Sequence, residues 1–232
     1  MDCAVNRSKK WYQLKARIER SVTLESATLD LGGRLVEWLR VVDPDRLLEA
    51  ALVRQDKRAD EIDPFWAATW RAARGLDQFL AHIDLQKQLV LELGCGSGQA
   101  GIGAAARGAL VTLTDAVGLA LLVARLNSTS VEDRVSFRRL RWDSDTLMDQ
   151  RFPIIIGSDI VYDPRLFPLI DACARRHLLP SGHLYLSEPH RHTGDHFAKW
   201  IVEAGWQTCE SDMLIDHGRV PIRIFDCWLP QC

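Results

Sequence analysis

The run Leu89-Val90-Leu91-Glu92-Leu93-Gly94-Cys95-Gly96-Ser97-Gly98-Gln99-Ala100-Gly101 constrains the fold of this chain more than any other stretch. An apolar strand enters a turn dense in glycine, and small residues then open a helix. Five glycines fall within residues 94–103. Each loses more backbone freedom on folding than any other residue, so a bare connection is a poor reason for so many. Glycine admits positive φ and lets a ligand approach the backbone, while the unpaired N–H groups of a helix start favour polar or anionic atoms. The turn therefore predicts a cradle for a nucleoside-bearing ligand. No Gly-Lys-Ser/Thr follows, which argues against a Walker-type phosphate loop.

Two templates fit these glycines. Gly96, Gly98 and Gly101 satisfy the dinucleotide fingerprint G-x-G-x-x-G, with Asp115 at about the spacing at which a carboxylate holds a ribose hydroxyl. The spelling Glu92-x-Gly94-x-Gly96-x-Gly98 instead resembles the first motif of class I S-adenosylmethionine-dependent methyltransferases. Both place a nucleoside here and differ in what lies beyond the ribose, so the glycines leave both open.

From residue 88 onward strands read near 88–93, 109–114, 134–139, 153–158 and 182–187, with helices near 98–107, 117–128, 165–178 and 193–204. Such alternation predicts a mainly parallel sheet covered on both faces. Residues 205–210 and 220–228 then read as two strands joined by a polar turn. A terminal hairpin closing a doubly wound sheet resembles class I methyltransferases, whereas dinucleotide dehydrogenases usually continue with another crossover. The expected fold is α/β, a Rossmann-like, doubly wound, mainly parallel seven-stranded sheet with an antiparallel C-terminal hairpin. Residues 61–232 would form that domain and residues 1–60 an N-terminal extension. In the extension, loose alternation over residues 20–41 around Gly32-Gly33 predicts a hairpin. Asp43-Pro44 reads as the cap and first position of a helix that turns Leu47, Leu48, Ala51 and Leu52 to one face, and the charged stretch 54–61 as its solvated end. A second cap, Asp63-Pro64, predicts a continuous helix over 65–80 with Trp66, Trp70 and Ala73 on a shared face.

At 232 residues the chain suits one α/β domain plus that extension. A formal charge of −2 offers no general attraction to nucleic acid. The first ten residues lack an apolar core, and no later run approaches membrane-spanning length. Six cysteines, at 3, 95, 173, 209, 227 and 232, include no C-x-x-C pair, which predicts free thiols in a reducing cytosol. A cytoplasmic protein with neither membrane nor nucleic acid as partner is expected.

In open α/β sheets ligands bind beyond the carboxyl ends of the strands, where strand order reverses. The second strand ends at Asp115, which can accept from a ribose diol, cap the next helix, or serve both. After the third comes Leu140-Arg141-Trp142, where Trp142 packs against an adenine or fills the core. The fourth strand, Phe152-Pro153-Ile154-Ile155-Ile156-Gly157-Ser158, ends in small residues that leave room for a ligand and then presents Asp159 and Tyr162 in an Asp-x-x-Tyr spacing. Capping the helix after Pro164 suits Asp163 better than Asp159.

Phe65-Trp66 through Trp70, the Glu92 to Gly98 turn, Leu140-Arg141-Trp142 and Asp159-Ile160-Val161-Tyr162 together resemble the seven-β-strand protein-lysine methyltransferases of methyltransferase family 16. Within it, the likeness points to the group that modifies the electron-transfer-flavoprotein β-subunit. The matching motifs span roughly residues 63–192, and the first sixty residues carry none. The resemblance implies S-adenosylmethionine as cofactor and a lysine side chain of a protein as acceptor. It implies that Trp70, Gly94, Gly96, Gly98, Asp115, Trp142 and Ser158 surround the cofactor, that Glu92 supports its amino-acid end, and that Asp159 and Tyr162 face the incoming amine. Where the family often has Trp-Pro, this chain has Trp70-Arg71. Glu188-Pro189-His190-Arg191 resembles a rim motif of the flavoprotein-modifying group, with a different middle.

These residue types suit methyl transfer to an amine. A free lysine pKa of ~10.4 implies roughly 4–5 kcal/mol to deprotonate it at pH 7. A lone Asp159 favours the ammonium, so its first task would be capture and orientation; a neighbouring sulfonium and partial burial push the other way. Tyr162 can hydrogen-bond the nitrogen and offer its ring face to the cation. His190, His192 and His196 raise the question of a metal, but no carboxylate completes a familiar ligand spacing and none is expected. Two other functions remain: a small-molecule N-methyltransferase on the same fold, and an NAD(P)-binding oxidoreductase or sensor using Gly96, Gly98 and Gly101.

Overall fold

The computed structural model describes residues 7–31, 33–47, 64–148, 150–215 and 220–230. Its centre is a seven-stranded sheet of β3 (Leu89–Glu92), β4 (Leu110–Asp115), β5 (Val135–Arg139), β6 (Phe152–Ser158), β7 (Leu178–Glu188), β8 (Gln207–Met213) and β9 (Ile222–Trp228). The strand order is β5-β4-β3-β6-β7-β9-β8. Strands β3 to β7 run parallel to one another, while β9 is antiparallel to both β7 and β8. The doubly wound sheet with its antiparallel closing strands is the one expected. Because the chain winds outward from β3 to β5 and then returns to place β6 on the other side of β3, strand order reverses between β3 and β6. A crevice opens at such a point.

Helices α2 (Arg71–Leu80), α3 (Gln99–Ala106), α4 (Gly118–Asn127), α5 (Phe167–His177) and α6 (His192–Glu203) cover the sheet. Alternation along β6 shows how the two faces are filled. Ile154 and Ile156 join Leu76, Leu80, Ala104 and Ile222 in one core layer, and Ile155 joins Phe167, Ile170, Phe197 and Phe225 in the other. A strand buried on both faces reads as a continuous apolar run, which is why Ile154-Ile155-Ile156 carries no polar alternation.

The extension contributes a hairpin, β1 (Leu24–Leu31) with β2 (Arg34–Val41), as expected, and residues 44–47 are helical. The rest of the helix read after Asp43-Pro44, and the charged stretch 54–61, lie outside the described residues. Helix α1 (Lys9–Ile18) was not foreseen. The Ser8 side chain accepts from the Trp11 N–H at 3.2 Å and caps it. Trp11 and Ile18 then pack with Leu39, Val41 and the outer face of α4, namely Ala120, Val123 and Leu126. The opposite face of α4 gives Leu121 and Ala124 to the main core. A helix apolar all round must be covered on both sides, and the extension covers the second.

The continuous helix expected over 65–80 is two pieces, a 3-10 turn (Pro64–Ala67) and α2, with Trp70 at the N-cap of α2 in an extended conformation (φ −93°, ψ 134°). The Trp70 indole donates from Nε1 to the Phe65 carbonyl at 2.9 Å, satisfying a group the longer helix would have used internally. Both tryptophans line the crevice, and Trp66 also packs with the extension.

Candidate active site

A cavity of about 260 Å³ occupies the crevice beyond the carboxyl ends of β3 and β6. Eight of the ten residues singled out from sequence line it: Trp70, Gly94, Gly96, Asp115, Trp142, Ser158, Asp159 and Tyr162. Glu92 and Gly98 stand outside the lining. Gly98 is the N-cap of α3 at φ +92°. Glu92 is fully buried beneath the turn, where its Oε2 accepts from the Gly101 N–H at 3.0 Å and its Oε1 has no hydrogen-bond partner. Burial pushes the Glu92 carboxyl up to about 8; the Gly101 N–H opposes the rise and the Asp115 charge adds to it. At neutral pH this group is mostly a neutral acid.

The glycine turn is shaped by close approach. At Gly94 (φ +63°) a Cβ would stand 3.0 Å from Ile160 Cγ2 and 3.3 Å from Trp142 Cζ2. At Gly101 it would meet Glu92 Oε2 at 2.3 Å, so α3 can lie on β3 only without a side chain there. Asp115, 7% exposed, binds both sides of the crevice: Oδ2 accepts from the Gly96 N–H at 2.9 Å and Oδ1 from the Val117 N–H at 2.8 Å. It thus ties down the approach to the following helix, but the N-cap of that helix is Val117 and has no side-chain cap bond, so the capping alternative for Asp115 is not met. A carboxylate has about four acceptor positions, so this does not preclude a ribose diol. Trp142 is partly buried, with its ring over Gly94 and one side packed on the core.

At the other end of the cavity the aromatic rings of Phe65, Trp70 and Tyr162 gather. The Phe65 ring centroid lies 6.2 Å from that of Trp70 and 5.4 Å from that of Tyr162. Asp159, just past β6, sits at φ +57°, a conformation more accessible to Asp than to most side chains. Its N–H donates to the Ser187 carbonyl at 2.8 Å. Its carboxylate, 3% exposed, forms a two-pronged pair with Arg191, through Nη1 to Oδ1 and through Nη2 to Oδ2 at 3.0 Å. The helix-capping role falls to Asp163, which accepts from the Arg165 N–H at 2.9 Å.

Arg191 is the member of the site that sequence reasoning left without a role, although the motif Glu188-Pro189-His190-Arg191 had drawn attention to it. Its guanidinium stands 5.6 Å over the Trp70 ring, and its N–H donates to Glu188 Oε2 at 2.6 Å. His190 is tied between Asp212, at 2.8 Å, and Arg223, at 2.9 Å. His192 and His196 face each other with centroids 4.3 Å apart, and no group of three potential ligands able to hold a metal occurs among the described residues. Phe65 was a nearer miss, since its neighbours Trp66 and Trp70 had been noted.

A family model described as "Lysine methyltransferase", methyltransferase family 16, matches residues 54–203. Among curated proteins, the chain is 39% identical over 112 residues to protein N-lysine methyltransferase METTL21A of Xenopus tropicalis, covering 44% of this chain and 50% of that protein. It is 32% identical over 130 residues to EEF1A lysine methyltransferase 3 of Mus musculus, covering 54% and 56% respectively. The chain thus spans about half the length of the curated relatives it matches. Among solved structures, the glycopeptide N-methyltransferase MtfA complexed with S-adenosyl-L-homocysteine superposes with a TM-score of 0.60 at 16% identity, covering 78% of this chain and 97% of MtfA, a likeness of fold. Because the family model spans more than half of the residues and its motifs meet around one cavity, the chain belongs to the lysine methyltransferase family, methyltransferase family 16.

Proposed function

We propose that the protein is an S-adenosylmethionine-dependent N-methyltransferase that acts on a lysine side chain of a protein. One observation carries this reading: a single cavity joins the Asp115–Gly96 end, suited to a nucleoside, to the Asp159–Tyr162 end, suited to an amine. The residues present fit the cofactor. Gly94 and Gly96 would let it approach the backbone, Asp115 would accept from the ribose, Trp142 would offer a face to the adenine, and Ser158 would leave space at the end of β6. Glu92 acts from behind the turn, holding Gly101 and with it the start of α3. When bound, S-adenosylmethionine supplies a methyl carbon already activated by its sulfonium.

The chain itself must bring an amine into line with that carbon and exclude water. Phe65, Trp70 and Tyr162 form an apolar mouth that would admit the lysine stem. Tyr162 would hydrogen-bond the nitrogen, and Asp159, paired with Arg191, would border the entry. No helix among the described residues is long and apolar enough to cross a membrane, and Cys95, Cys173, Cys209 and Cys227 are free thiols, which is in keeping with a cytoplasmic protein.

Incubating the protein with methyl-labelled S-adenosylmethionine and host lysate tests the reading. Label is expected in a protein band and, by mass spectrometry, on a lysine. Label confined to metabolites would move the acceptor to a small molecule and overturn the protein-lysine assignment.

A further inference from the structure

We infer that Arg191 is a positioning residue that cancels the charge of Asp159, so that the amine entrance presents a neutral ion pair rather than a bare carboxylate. The inference rests on the proposed function above, and it adds a residue from a different element, the start of α6, to the site.

The geometry is a two-pronged guanidinium–carboxylate pair. Asp159 has a 3% exposed side chain, Arg191 a 35% exposed one, and the guanidinium lies over Trp70 at the mouth of the cavity. Arg191 is fixed from its own backbone as well, through its N–H on Glu188. A planar fork holds the carboxylate at both prongs with the Trp70 ring 5.6 Å away, and lysine could not reproduce it at two points. Other charged groups nearby have partners of their own. Glu188 faces Arg223 at 3.1 Å, Asp143 lies 3.6 Å from Arg141 across the cavity, and Asp115 is bound by two backbone N–H groups. Asp159 shares the aromatic end of the cavity with Tyr162, so its compensation bears on what an arriving amine meets.

The consequence is chemical. A bare carboxylate within 4–6 Å of an amine favours the ammonium and raises its pKa, which opposes the loss of the proton that nucleophilic attack requires. With Arg191 in place, the entrance no longer rewards the charged form, and the desolvated, apolar mouth favours the neutral amine. Arg191 thus removes the disadvantage that an isolated Asp159 would impose on lysine deprotonation.

The test uses n-butylamine, a lysine side chain without its backbone, titrated into the protein saturated with S-adenosylhomocysteine from pH 7 to pH 10. Wild-type affinity is expected to rise with pH, because the neutral amine is preferred. In Arg191→Gln affinity at pH 7 should be at least about tenfold tighter and should stay nearly flat to pH 10, because an amine of pKa ~10.4 is still mostly protonated there, so the wild-type rise is lost. Arg191→Lys should restore the wild-type rise. Arg191→Met, which keeps a stem over Trp70, is the second neutral variant. An unchanged pH dependence in a neutral variant that holds S-adenosylhomocysteine would overturn the inference. So would loss of S-adenosylhomocysteine binding in both neutral variants, which would make Arg191 a strut. Failure of the wild type to bind S-adenosylhomocysteine is a separate result, and it would remove the proposed function itself.

Discussion

Asp115 and Gly101 show how single residues at the glycine turn serve architecture and ligand together. Asp115 was legible as a strand-end carboxylate, and the structure finds it holding Gly96 and Val117 across the crevice. Asp115→Asn keeps an acceptor for one of those donors but removes the charge. Hydrogen bonds to charged groups contribute ~1.5–3 kcal/mol, so S-adenosylhomocysteine affinity should fall at least about tenfold by calorimetry. Equal affinity would place the sugar elsewhere. Gly101 was read only as part of a fingerprint, because close helix–strand packing has no signature in one sequence. Gly101→Ala would drive a Cβ to 2.3 Å from Glu92 Oε2 and 2.4 Å from Leu113 Cδ2, and should cost roughly 1–3 kcal/mol in urea unfolding. An unchanged midpoint would show that α3 can shift freely. Arg191 marks the limit of legibility at this scale. Its position in a motif was visible, but a partner 32 residues away in sequence was not.

Strands and crossover helices of the sheet were readable from period and punctuation, to within a residue or two for β4, α4 and β6. The misreadings have specific causes. The helix over 65–80 broke at Trp70 because an indole N–H found the Phe65 carbonyl, a local competition that periodicity does not register. Helix α1 was overlooked although Ser8 followed by Trp11, Leu14 and Ile18 is a capped apolar face. Its partner is the outer side of α4, so its reason for folding lies more than a hundred residues away. Asn127 reinforces that union: its Oδ1 accepts from the Leu39 N–H at 2.9 Å, and its Nδ2 donates to the Leu39 carbonyl at 3.0 Å and to the Ser97 carbonyl at 3.3 Å. One side chain thus links the hairpin, α4 and the glycine turn. Asn127→Ala should destabilise the protein by about 1–3 kcal/mol, since it leaves buried backbone groups of Leu39 unpaired. Denaturant unfolding checks this, and a shift under a few tenths of a kcal/mol would show that the hairpin is held by apolar contact alone.

For the whole molecule, two buried groups give stability an uncommon dependence on pH. Glu92 titrates at about 8 when folded and near 4.5 when unfolded. Above pH 4.5 the unfolded chain releases a proton that the folded chain keeps, so stability falls as pH rises, until both forms are ionised beyond 8. His177 acts at the other side. Its Nε2 accepts from the Leu147 N–H at 3.1 Å and its Nδ1 meets the Cys173 carbonyl at 2.8 Å, an arrangement of the neutral ring. Burial lowers its pKa below 6.5; the Cys173 carbonyl opposes that, and Arg176 and Arg151 add to it. Its contribution is complete above 6.5 and is lost as pH falls below it. Between pH 6.5 and 8 Glu92 therefore acts without His177, and the ligand-free protein should lose roughly 2 kcal/mol of stability over that interval. Glu92→Gln, which still accepts from Gly101, should abolish the decline in thermal unfolding. A slope equal to that of the wild type would show that Glu92 is ionised in the folded protein.

The central claim is that the crevice between β3 and β6 holds S-adenosylmethionine rather than a nicotinamide dinucleotide. Calorimetric titration of the wild-type protein with S-adenosylhomocysteine and, separately, with NAD tests it most directly. The account predicts saturable binding of S-adenosylhomocysteine, weakened by Asp115→Asn, and no binding of NAD. Saturable binding of NAD with no response to S-adenosylhomocysteine would contradict it.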